Sequence, residues 1–122
     1  MAVKNMRDIE ALESMPLERR QMPGSTYAAL QRCAGVYSHE PALSFFLDAK
    51  RYGQTHDWNY HELLADITRA ANAFHALGIG PDDVLAFLLP NLPETHFTIW
   101  GGEAAGIVMA ILGKPVVPPV QK

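Results

Sequence analysis

The chain has 122 residues, 48% of them apolar, and a formal charge of −3. That is enough to bury roughly two thirds of the unfolded surface in one domain. The mild, mixed charge excludes the electrostatic footprint of a nucleic-acid or anionic-membrane binder. No run reaches the roughly 20 apolar residues of a membrane span, and Lys4, Arg7, Asp8, Glu10 and Glu13 break up any secretory signal at the N-terminus.

Residues 1–24 carry four basic and four acidic side chains, with Met6, Ile9 and Leu12 at helical spacing before Pro16. They read as an extension to the domain: a short surface helix, or a tail ordered only against something else. Arg19-Arg20 reads as solvated. Ser25 or Thr26 caps a helix running to about Val36, with Tyr27, Leu30 and Ala34 inward. Cys33 in that helix reads as a small core residue, and its being alone excludes an internal disulfide and fits a reducing cytoplasm.

Pro41 is a loop signal, and Leu43-Ser44-Phe45-Phe46-Leu47 has the aromatic content of a strand. Asp48–Gly53 supply turn residues, and Gln54–Trp58 return as the partner strand of a hairpin. Asn59 with Glu62 makes a capping box, with Trp58 and Leu63 spaced for a hydrophobic staple. Leu63, Ile67, Ala70, Phe74 and Leu77 then trace one continuous helical face. Gly78 stands at the left-handed C′ position, with Ile79 behind it. Gly80-Pro81-Asp82-Asp83 forms the turn that follows.

Val84–Leu89 is an unbroken apolar run, too short for a helix and suited to a strand covered on both faces. Asn91 offers an N-cap, Pro93 a first-turn proline and Glu94 an acid three residues after the cap. The resulting helix, Leu92 to about Ala105, points Phe97, Trp100 and Ala104 inward. Gly101-Gly102 within it predicts close approach of a neighbour, since each costs an isolated helix about 1 kcal/mol. Gly106 ends the helix, and Ile107–Leu112 is a second buried strand. The unit is strand–helix–strand, parallel and right-handed. Residues 113–122 hold prolines that remove ladder donors and read as a non-sheet tail. Its Pro115-x-x-Pro118 matches a polyproline ligand, but short matches of this kind are common by chance, and a frayed terminus is the expectation.

The search for chemistry returns absences. Gly78-x-Gly80 precedes a strand, whereas a phosphate cradle follows one and opens a helix. His39, His56, His61, His75 and His96 show no metal-site spacing. His56, His61 and Glu62 are near in sequence, but the capping box accounts for Glu62. Glu103 reads as a solvated helix position rather than an inward carboxylate, and no serine sits in a nucleophile elbow.

The order of the pieces carries the recognisable signal. Trp58-Asn59-Tyr60-His61-Glu62-Leu63, Ala71-Asn72-Ala73-Phe74, Leu77-Gly78-Ile79-Gly80-Pro81-Asp82-Asp83-Val84, Leu89-Pro90-Asn91-Leu92-Pro93-Glu94 and Glu103-Ala104-Ala105-Gly106-Ile107-Val108 follow one another with family-like gaps. In this the chain resembles the start of the AMP-forming acyl-CoA synthetases, with Phe97–Ile111 most similar to the bacterial fatty-acyl branch. The resemblance covers about Leu43 to Ile111. It implies an α/β fold: the N-terminal part of the large adenylating domain, with a β-hairpin, a parallel βαβ unit and an incomplete sheet. The corresponding division is 1–24 extension, 25–112 partial AMP-binding subdomain and 113–122 proline-rich tail.

The resemblance also implies an activity for whole family members. They adenylate a fatty or other carboxylic acid with Mg-ATP and pass the acyl group to coenzyme A; the cytoplasmic expectation rests separately on the lone Cys33 and the N-terminal charges. The phosphate loop with its lysine, the aromatic-Thr-Glu motif, the ribose-binding aspartate, the hinge and the C-terminal lysine have no counterpart here. No catalytic, cofactor-binding or metal residue is therefore carried over, and no cofactor is expected to bind these residues alone. After Ile111 the chain leaves the family pattern, so a truncated piece without ATP-dependent thioester formation is expected. A small stand-alone α/β interaction module is the alternative. On the truncated reading, an open sheet edge and an uncovered face around Ile107–Leu112 predict self-association.

Overall fold

The computed structural model describes residues 3–113. The reading of residues 114–122, including the Pro115-x-x-Pro118 match, lies outside the described residues. A short helix opens the chain, α1 (Met6–Glu13), with a full capping box: the Asn5 side chain accepts from Arg7 and Asp8, and Asp8 accepts from the Asn5 backbone. Arg20 is more than a solvated charge. Its guanidinium donates to the carbonyl of Glu13, the last residue of α1, at 3.1 Å, and to that of Met15, two residues beyond, at 2.9 Å.

Ser25, rather than Thr26, caps α2 (Thr26–Val36), accepting from the Ala28 N–H. The strand β1 (Pro41–Phe45) starts on the expected loop proline and ends before Phe46 and Leu47, both of which are exposed. Pro41 is admissible there because a strand's first residue can lack a ladder donor. A 3-10 turn at Ala49–Arg51, capped by Asp48, leads to β2 (His56–Asn59). β1 and β2 pair antiparallel, so the hairpin forms with its return strand two residues later than expected.

The long helix α3 (Tyr60–Ala76) begins on the predicted capping box, with Asn59 Oδ1 accepting from Glu62 N at 2.8 Å and Glu62 Oε2 from Asn59 N at 3.0 Å. It ends in a Schellman motif: Gly78 has φ +77°, Ile79 N–H donates to Phe74 and Gly78 N–H to His75. Leu63 and Ile67 are buried on its inner face, while Leu77 is 75% exposed, because the face rotates off the core as the helix ends.

β3 (Val84–Phe87) and β4 (Val108–Ile111) pair in parallel on either side of α4 (Pro93–Ala104), in the register Val84↔Val108 through Phe87↔Ile111. The βαβ unit is as expected, with each strand shorter than its apolar run. Two expectations fail. Asn91 does not cap α4: Leu92 holds the N-cap position with no side-chain bond, and Pro93 at N1 needs no acceptor. The Pro90 carbonyl instead accepts from Leu92 N and Thr95 Oγ1, which closes the turn without an Asn91 side chain. β3 is also covered on one face only: Leu85 and Phe87 are half-buried, whereas Val84, Ala86 and Leu88 are exposed, since no described element lies beyond them.

The core is the seam between α3 and α4. Ile67 and Ile107 are buried, and Gly101 and Gly102 let the helices and β4 close on one another. A Cβ on Gly101 would lie 2.6 Å from Ala70 Cβ, and one on Gly102 would run into the Met109 sulfur. That is the close neighbour the double glycine predicted. α4 ends in a second Schellman motif, with Gly106 at φ +77° and Ile107 N–H on Gly102 O.

Candidate functional site

Two aromatic-lined surfaces flank this core. The hairpin is held to the helices by Trp58, whose Nε1–H donates to Asp66 Oδ2 at 3.0 Å. The indole also meets Phe97 of α4 edge-on at 5.7 Å and His56 at 4.4 Å. One buried-edge aromatic therefore joins β2, α3 and α4. α2 is tied on separately by Tyr27 and Thr68 at 2.8 Å. The Thr68 hydroxyl proton is already given to Leu64 O at 2.7 Å, so the Tyr27 hydroxyl donates.

The first surface is a groove of about 460 Å³ between β1 and the turn into α4. Leu43, Phe45, Leu47, Pro90, Leu92 and His96 line it, with Ser44, Asp48 and Asn91 as its polar groups. A smaller recess of about 280 Å³ lies behind His96 among Leu30, Leu43, Leu63 and Trp100. Asp48 is already engaged, by Lys50 N–H at 2.9 Å and the Arg51 guanidinium at 2.8 Å.

The second surface brings together His56, His61 and Glu62, the group that stood out in the sequence, with Asp57, Asp66 and Arg69, around a depression of about 460 Å³. Its carboxylates have other work. Glu62 closes the capping box, and Asp66 takes both the Trp58 indole N–H and the Arg69 guanidinium. Among the described residues no three His, Cys, Asp or Glu side chains are placed to hold a metal ion.

The remaining candidates are dispersed. His96 lies on the first groove, and Glu103 is exposed beside Ser25, Thr26 and Tyr27, as expected of a solvated helix position. Cys33 is half-buried and unbonded. Sequence reasoning missed the Trp58–Asp66 bond, which no local spacing announces. It also passed over Asn5 and Asp8, whose N-cap-to-N3 spacing does announce a box.

A phosphate cradle needs a glycine-rich loop opening a helix, with a cation in reach. The start of α3 is filled by Asn59 and Glu62, and that of α4 is built from Leu92, Pro93 and Glu94. Neither of these two helix starts thus offers a cradle for a triphosphate or its magnesium. The described residues make a scaffold with apolar grooves.

Comparison with known proteins agrees with the fold. The AMP-binding enzyme family matches residues 30–114. The marinolic acid–CoA ligase of Pseudoalteromonas sp. (strain SANK 73390) is 39% identical over 105 residues, which is 86% of this chain and 16% of that protein. The crotonobetaine/carnitine–CoA ligase of Proteus mirabilis (strain HI4320) is 41% identical over 76 residues, 62% of this chain and 14% of that protein. The chain thus spans about one sixth of the curated relatives it matches.

Among solved structures, the fatty acid AMP ligase from Legionella pneumophila superposes with a TM-score of 0.64 at 22% identity, covering 89% of this chain and 18% of that one. The N-terminal subdomain of Klebsiella oxytoca NpsA gives 0.63 at 16% identity, covering 75% and 22%. With the capped α3, the glycine seam and the parallel β3–α4–β4 unit in place, and the family match spanning residues 30–114, the chain belongs to the AMP-binding enzyme family.

Proposed function

We propose that this chain is the N-terminal scaffold of the large domain of an AMP-forming acid–CoA ligase, and that it performs no chemistry by itself. The observation that carries the reading is the 39% identity to an acid–CoA ligase sustained over 86% of the chain. In the whole protein, Mg-ATP would activate a carboxylic acid as its adenylate and coenzyme A would receive the acyl group. A fatty acid is the substrate favoured by the likeness of Phe97–Ile111 to the fatty-acyl branch. Residues 25–112 are the scaffold proper, residues 1–24 an extension and residues 113–122 a tail. The free Cys33 suits a reducing cytoplasm.

What supports the division of labour is the chemistry of the donors. Adenylation depends on preorganised charge around the reacting phosphates. The starts of α3 and α4 are occupied by a capping box and by Pro93 with Glu94. What the residues do provide is a βαβ unit joined to a hairpin through Trp58, which meets Phe97 of α4.

The test is carboxylate-dependent exchange of labelled pyrophosphate into ATP by the purified 122-residue chain, with short- and long-chain acids. The expected result is exchange at the level of a heat-killed control. Exchange clearly above it overturns the reading and places an adenylating site within these residues.

A further inference from the structure

Met109 is the only methionine of the chain outside residues 1–22. It lies in β4, paired in register with Leu85, and its side chain turns toward α4. There the thioether occupies the space that a Cβ on Gly102 would fill. Its Cε and Cγ lie 2.8 Å and 3.0 Å from that position, and its sulfur lies closer. Gly102 is buried and Met109 half-buried, so a small solute reaches one side of the thioether while the helix holds the other.

We propose that Met109 is an oxidation-sensitive catch between α4 and β4. Hydrogen peroxide supplies the oxygen. A sulfur lone pair attacks one peroxide oxygen, the S–O bond forms, the O–O bond breaks, and after proton transfer water leaves. The sulfur loses two electrons and the peroxide gains them. The new oxygen is an acceptor that needs a hydrogen-bond donor or water. Gly102 offers none: it lies inside α4, where each backbone N–H is bonded to the carbonyl four residues back. The Gly102 carbonyl, itself an acceptor, is held by Ile107 N–H at 2.9 Å. The sulfoxide therefore turns its oxygen to water, the sulfur lifts off Gly102, and the packing of α4 on β4 loosens. Met6, Met15 and Met22 are exposed, so oxygen added there disturbs no such seam. Methionine sulfoxide is enzymatically reducible, which makes the catch resettable. The proposal is independent of the adenylation reading, since it rests on the α4–β4 seam alone.

The test is a thermal melt of the full chain, followed by far-UV circular dichroism, before and after treatment with hydrogen peroxide. Peptide mass spectrometry reports which methionines carry oxygen. Dithiothreitol in the melts returns any disulfide or sulfenic acid at Cys33 to the thiol. Once Met109 is oxidised, the Tm of the parent falls on the order of 5 °C, and methionine sulfoxide reductases restore it. M109L, a swap of similar volume, keeps its Tm through the same treatment although Met6, Met15 and Met22 are oxidised. Should M109L not fold, M6L/M15L/M22L makes the comparison. It keeps Met109, alters only exposed positions, and falls as far as the parent. A parent or triple variant whose melt is unchanged once Met109 carries oxygen overturns the proposal, as does an equal fall in M109L. A Met109 that stays reduced in the folded chain while Met6, Met15 and Met22 oxidise overturns it too.

Discussion

Replacing Gly101 with alanine tests the seam between α3 and α4 at its tightest point. On an isolated helix the change is favourable by about 1 kcal/mol, because glycine has the larger entropy loss on ordering. Here the new Cβ would sit 2.6 Å from Ala70 Cβ and 3.1 Å from both Ala71 N and Ile67 O. None of those atoms belongs to a flexible side-chain end, so relief requires the helices to move apart. Overpacking of a closed core costs about 1–3 kcal/mol, and more when backbone must shift. Separation also loosens Ile67, the one fully buried large side chain among the described residues. A net loss of about 2 kcal/mol is expected, a fall in Tm on the order of 10 °C for a domain of this size. G35A is the matched control. Gly35 lies in α2 with nothing within 4 Å of its added Cβ, so alanine there stabilises by up to about 1 kcal/mol. Both variants are melted at one fixed concentration, followed by far-UV circular dichroism. A G101A chain as stable as the parent would show that the helices do not approach as closely as described.

Three further outcomes follow from the same geometry. I67A loses about 2–5 kcal/mol in urea unfolding, whereas L77A, at a 75% exposed position, stays within about 0.5 kcal/mol of the parent. N59A costs about 1 kcal/mol through loss of the α3 cap, while N91A is neutral, because no helix depends on its side chain. G78A destabilises by about 1–2 kcal/mol, since its φ of +77° puts a Cβ in the left-handed region. Replacing Asn59 or Gly78 without measurable effect in equilibrium unfolding would refute the assigned helix ends.

The parts legible in the sequence were those set by short-range chemistry. Asn59 with Glu62 and Gly78 with Ile79 bracket α3 because caps and Schellman turns are written within six residues. The parallel βαβ unit followed from two apolar runs flanking one helix. Gly101-Gly102 announced a close neighbour but not its identity, since Ala70 and Met109 meet them only through tertiary packing. Asn91 misled for a related reason: a side chain of the right type stood one residue too early, and Pro93 at N1 moved the cap to Leu92. The apolar runs also overstated coverage. Burial on both faces needs a layer on each side, and the described residues place helices on one. The candidate groups were legible as a list and not as a site: the use of Glu62 on Asn59 was readable from their spacing, whereas the engagement of Asp66 by Trp58 and Arg69 was not.

A graft tests the scaffold assignment most directly. The 76-residue stretch of the Proteus mirabilis crotonobetaine/carnitine–CoA ligase that matches this chain at 41% identity is replaced by the corresponding residues of this chain. Carboxylate-dependent pyrophosphate exchange is then measured beside the parent ligase, with circular dichroism to confirm folding. The account predicts a folded chimera that retains exchange, because the graft supplies framework and leaves the phosphate-handling groups of the ligase in place. A chimera that folds and melts like the parent ligase yet shows no exchange would contradict it.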